Sequence, residues 1–153
     1  MMDSSMSEEK NDLEMDLSSG IAAFETKSFT QAKMFLSPLA EAGHPEAQYR
    51  MAIMAQNGLG MVENPLMAYK YMKAAAESGL GLAIHGLGFM YLEGECVDQD
   101  SEKAIEWFKK AAEEHELIGS MTTLGMIYFE GRGVPKDEEE GRKWYRRAGF
   151  DEF

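Results

Sequence analysis

Three segments of this chain can be laid one on another: AQYRMAIMAQNGLGMVENPLMAYKYMKAAAESG from Ala47, AIHGLGFMYLEGECVDQDSEKAIEWFKKAAEEH from Ala83, and SMTTLGMIYFEGRGVPKDEEEGRKWYRRAG from Ser120. Their starts are 36 and 37 residues apart. Met51-Ala52, Leu87-Gly88 and Leu124-Gly125 fall in register, then Gly58, Gly94 and Gly131, then Ala68, Ala104 and Gly141. Tyr71, Trp107 and Trp144 follow, then Ala75, Ala111 and Ala148. Self-similarity at this period marks an array of supersecondary units. A unit of this size cannot bury enough apolar surface to offset its own chain entropy, so the units must stack and share a core.

Each unit reads as a helical hairpin. Ala83, Leu87, Gly88 and Tyr91 are spaced i, i+4, i+5, i+8, one face of a helix; Ala104, Trp107, Phe108, Ala111 and Ala112 give the second. The boundary residues agree. Gly58, Gly94 and Gly131 stand where the first helix must stop, a place that favours a left-handed residue. Asn64-Pro65, Asp100-Ser101 and Asp137-Glu138 place a side-chain acceptor at the start of the second. The loops NGLGMVEN, EGECVDQD and EGRGVPKD are therefore architectural. A phosphate-binding glycine loop would follow a strand and carry a Gly-Lys-Ser/Thr or a ribose-binding acid, and neither context is present.

A shorter unit opens the array at Gly20 to Gly43, with Ala32, Phe35, Leu36, Leu39 and Ala40 in the second-helix pattern and Pro38 expected to bend that helix or remove a backbone hydrogen bond. Residues 1 to 11 are polar and acidic without an apolar period, and read as a disordered tail. The expected organisation is thus a tail over 1–11 and one all-α repeat domain over 12–153, with units at about 12–46, 47–82, 83–119 and 120–153.

The balance of 27 acidic against 15 basic side chains, a formal net charge of −12, repels phosphodiester backbones and anionic lipid, which argues against nucleic acid as a partner. No run of about 20 apolar residues offers a membrane span, and the N-terminus lacks the cationic start and apolar run of an export signal. Cys96 is the single cysteine, which excludes an intrachain disulfide and fits a reducing, cytoplasmic setting. His44, His85 and His115 have no pair at i, i+4, so no metal site is expected, and no cofactor or catalytic group is assigned.

The pattern A…LG..Y..G.GV..D…A..W[YF]..AA resembles the Sel1-like repeat, a relative of the tetratricopeptide repeat, over about Ala47 to Phe150. The sequence departs from it at Met51-Ala52 and Ala55, at Tyr71, at Glu114-His115 and at Gly141. The resemblance implies a right-handed superhelix of about four antiparallel helix pairs, serving as a non-enzymatic scaffold that binds a protein or peptide on the concave face lined by first helices. Carried over by register, that face comprises Tyr49, Ile53, Gln56 and Asn57; His85, Phe89, Leu92 and Glu93; and Thr122, Met126, Phe129 and Glu130. It would be an apolar stripe with an acidic rim, suited to a basic or amphipathic partner. Tyr91, Tyr128, Trp107 and Trp144 are expected in the core. The competing readings are a hydrolase-type enzyme with a site between repeats, and a structural module that self-associates through the last helix, where Trp144 and Tyr145 are exposed unless Phe150 and Phe153 fold back as a cap.

Overall fold

The structure is a computed structural model that describes residues 4–151. Eight helices and no strand occur among them: α1 (Ser4–Glu25), α2 (Phe29–Glu41), α3 (Pro45–Asn57), α4 (Pro65–Glu77), α5 (Gly81–Glu93), α6 (Ser101–His115), α7 (Ile118–Glu130) and α8 (Glu138–Arg147). They form four hairpins, α1/α2 to α7/α8. Contacts divide the chain into two compact units, Met1–Ser78 and Gly79–Phe153.

The local signals act as their chemistry requires. Gly58, Gly94 and Gly131 close α3, α5 and α7 with φ of 67°, 69° and 72°, each sending its N–H back to the carbonyl four residues earlier. The side chains of Asn64, Asp100 and Asp137 accept from the N–H groups of Met67, Lys103 and Glu140, each at 3.1 Å. Each such cap satisfies a donor that the first helical turn cannot.

In the first unit α2 packs on α1 and on α3, and α3 on α4. The stretch expected to be a tail is helical from Ser4 onward, although Met6 to Asp16 are all exposed. Its polar composition hid the helix because nothing packs there to give an apolar period. Residues 1–3 lie outside the described part. Farther along α1, a Cβ on Gly20 would fall 2.5 Å from Leu36 Cδ2, so the missing side chain lets α2 close on α1. Pro38 does not end α2, which continues to Glu41, and its carbonyl accepts from Ala42 N–H at 3.1 Å. On α3, buried Gln48 donates from Nε2 to Ala40 O at the end of α2, 3.2 Å away.

The second unit repeats the device. A Cβ on Gly88 would meet the Phe108 ring at 2.9 Å, and one on Gly125 the Tyr145 ring at 2.8 Å. Leu36, Met72, Phe108 and Tyr145 hold one position of the second helix, facing Gly20, Ala52, Gly88 and Gly125 in register. Glycine stands opposite Leu36 and the two aromatic residues, alanine opposite the methionine. At α7/α8 the backbone itself is the neighbour, because a Cβ on Gly141 would lie 2.9 Å from Gly125 O and from Phe129 N. α6 runs to His115 and stops at Glu116, which takes φ 50°. Of the four aromatics expected in the core, Tyr91 and Trp144 are buried, whereas Tyr128 and Trp107 are only half-buried. Trp144 is not an open end of the array. Phe150 N–H donates to Tyr145 O at 2.9 Å and the two rings meet edge-on at 6.1 Å, so the chain does turn back there; Phe153 lies outside the described residues.

Candidate functional site

The residues assigned by register to an open face are first-helix positions, and each unit holds its own share. On α3, Tyr49, Ile53 and Gln56 are half-buried and Asn57 is exposed. Arg50 is held by Glu46 one turn earlier at 2.6 Å, and its guanidinium lies 5.9 Å from the Tyr49 ring centre. Burial raises the Tyr49 phenol above its ordinary value, so it remains a neutral hydrogen-bonding group.

In the second unit, α5 and α7 are tied side by side by two contacts. Near their N-terminal halves, His85 Nδ1 and Ser120 Oγ are 2.6 Å apart. Near their C-terminal ends, Arg132 in the loop that follows α7 reaches Glu93 at 3.4 Å and Met126 Sδ at 3.9 Å. Between these ties lie Phe89, Thr122 and Met126, all half-buried, with Glu93 and Glu130 exposed. The arrangement is a shallow apolar strip with carboxylates along one border.

Leu92, expected on this face, is 1% exposed and belongs to the core. Its column in the register is turned toward its own hairpin. Phe129 shows the same tendency: its ring is 6.2 Å from that of Tyr145 and 5.7 Å from the Arg142 guanidinium, both on α8. Phe89 is also anchored, edge-on to Phe108 at 5.0 Å and to His85 at 4.9 Å. These rings offer one side to solvent and spend the other on packing. Two participants escaped the sequence reading: Arg132 and Ser120. Arg132 stands at the variable position inside the glycine loop, where the in-register residues are Leu59 and Glu95, and its partners became visible only once α5 and α7 were side by side.

The Ser120 and His85 pair invites comparison with hydrolytic chemistry. Ser120 is wholly buried, so its oxygen has no approach to a substrate carbonyl. His85 packs against two aromatic rings, and burial lowers its pKa, which keeps the imidazole neutral and able to share the hydrogen bond. Cys96 is half-buried; burial, reinforced by the Glu95 charge, raises its thiol pKa, the wrong direction for a nucleophile. Among the described residues no group of three or more His, Cys, Asp or Glu could hold a metal ion, and no helix is long and apolar enough to cross a membrane.

Comparison with known proteins follows the same lines. The family model described as Sel1 repeat matches residues 45–80, 81–115 and 120–149. A crystal structure of a Sel1 repeat protein from Oxalobacter formigenes is similar with a TM-score of 0.77 and 30% identity, over 87% of this chain and 53% of that one. A protective antigen present in uropathogenic Escherichia coli strains, displaying an SLR fold, is similar with a TM-score of 0.81 and 31% identity, over 97% of this chain and 33% of that one. The chain thus spans about half the length of the first and a third of the second. No curated protein sequence matches it.

Proposed function

Because the chain belongs to the Sel1-repeat family, whose members generally mediate protein–protein interaction, we propose that it is a non-enzymatic scaffold. In this reading it binds a basic or amphipathic protein segment on its first-helix faces. The observation that carries this is the α5/α7 strip, where half-buried Phe89, Thr122 and Met126 lie beside exposed Glu93 and Glu130. An apolar floor supplies contact area while the acidic border selects the charge of what lies on it. Tyr49, Ile53 and Gln56 on α3 present a second contact area, with Asn57 where Glu93 and Glu130 stand. A reducing compartment suits a chain with one half-buried thiol.

The test is affinity capture from lysate followed by mass spectrometry, with Glu93→Arg/Glu130→Arg and Thr122→Arg run in parallel. These side chains are exposed or half-buried, so the variants should keep wild-type helicity. Partners lost from both variants support the face. An unchanged partner set would reject it. Phe89→Ala and Phe129→Ala make poorer probes, because their rings also hold α6 and α8.

A further inference from the structure

Within each unit, the second helix of one hairpin packs against the first helix of the next: α2 on α3, and α6 on α7. The first helices of these junctions each carry a buried column: Ala47, Met51 and Met54 on α3, and Ser120, Leu124 and Ile127 on α7, all 0–1% exposed. Aligning Gly20 with Ala52 and Gly125 places Met15, Ser19 and Ala22 of α1 at these same positions. All three are exposed. Ser19 and Ala22 line an open groove of about 580 Å³, together with Thr26 in the α1/α2 connection and with Gln31, Met34 and Phe35 on α2. Met34 is 72% exposed, and Phe35 is the most open member of the column that holds Tyr71 and Trp144. The first hairpin therefore leaves uncovered, among the described residues, the column that is buried where a first helix follows a second one.

The complementary element is present at the other end of the sequence. α8 is a second helix that no described first helix follows. In both internal junctions a short link joins the C-terminal end of the second helix to the N-terminal end of the next first helix, so these two ends lie together. The charges of α8 and of the start of α1 match that geometry. Helix α8 is acidic in its first turn, where Glu138 and Glu140 pair with Arg142 and Lys143, and cationic in its last, with Arg146 and Arg147, while between Ser4 and Asp16 the sequence has five carboxylates and one lysine. At the position where Gln48 reaches the end of α2, α1 carries exposed Asp16. A carboxylate there would repel the carbonyl end of a helix unless that helix brought cations, as α8 does with Arg146 and Arg147 in its last turn.

We infer that the chain associates head to tail, the α8 end of one copy seating on the α1/α2 groove of a second copy. The interface is heterologous, so each copy can give and receive. It is also weaker than an internal junction. The glycine loops press on the start of the preceding second helix, as where a Cβ on Gly60 would fall 2.7 Å from the Phe29 backbone; the α1/α2 connection, residues 26–28, is too short to repeat that contact.

Sedimentation equilibrium from about 1 µM to about 1 mM at low salt tests the idea. The average mass should rise with concentration, and salt at about 0.5 M should weaken association by at least about tenfold. Ala22→Arg blocks the groove, and Lys143→Glu/Arg146→Glu reverses the charge of the α8 end; all three positions are exposed, so circular dichroism should show the wild-type fold. Each variant alone should remain monomeric, and an equimolar mixture should form one dimer, because one copy keeps its groove and the other its α8 end. A wild-type monomer at every concentration would overturn the inference. So would variants that associate as the wild type does, or a mixture that stays monomeric.

Discussion

At Cys96 the backbone takes φ 67°, the left-handed region, as it does at Gly60 with 67° and Gly133 with 72° in the matching loops. Only the middle loop asks a residue with a Cβ to adopt it, at a cost of about 1 kcal/mol. Cys96→Gly should therefore raise stability by roughly 0.5 kcal/mol, the relief of strain exceeding the extra freedom that glycine gives the unfolded chain. Denaturant midpoints would check this, and Cys96→Ala, which keeps a Cβ, should gain nothing. His85 supplies a second residue-scale outcome. Burial depresses its pKa in the fold, so above the unfolded value of 6.5 both states are neutral and stability is whole. As pH falls through that value the unfolded chain takes up a proton that the folded one resists, and stability declines until the folded group also titrates. Melting from about pH 7 to about pH 5 should thus cost the wild type more than His85→Gln, which carries no titrating group at that place; equal losses would show that the ring is not held neutral.

At the scale of the element, α7 and α8 pack backbone against backbone, where the neighbours of a Cβ on Gly141 would include backbone atoms 2.9 Å away. On an exposed helix glycine to alanine gains up to about 1 kcal/mol. Here the backbone cannot move aside like a flexible side chain, so Gly141→Ala should instead destabilise by about 1–3 kcal/mol, measured by chemical denaturation. The in-register positions are already Ala68 and Ala104, so a sequence comparison alone would advise the opposite. This shows what the sequence could and could not disclose. Helix starts and stops were legible because an Asn64 cap or a Gly94 terminus is decided by atoms within one turn. The outward face was less so: Leu92 and Phe129 share a register position, yet one is buried and the other half-open, since the second helix across the hairpin sets how much of each is covered. Helix α1 up to Asp16 was illegible for a related reason, as an unpacked helix leaves no apolar period to read.

For the molecule as a whole, the governing quantity is the formal charge of −12. It is long-ranged at low salt and screened within about 10 Å at 0.1 M ionic strength, so its effect falls on encounter more than on the bound state. Binding of a synthetic basic amphipathic peptide, followed by stopped-flow fluorescence, should show an association rate that drops steeply between about 0.05 and about 0.5 M salt while dissociation changes little. The variants separate field from contact. Reversing Glu8, near the start of the exposed part of α1, removes the same charge as reversing Glu93 but none of the proposed α5/α7 border. Glu8→Lys should lower the association rate only slightly at low salt. Glu93→Lys should also quicken dissociation, because it sets a cation against the bound segment and frees Arg132 from its ion pair. If the two variants behaved alike in both rates, attraction would be a property of the net charge alone, and the α5/α7 strip would have no part in recognition.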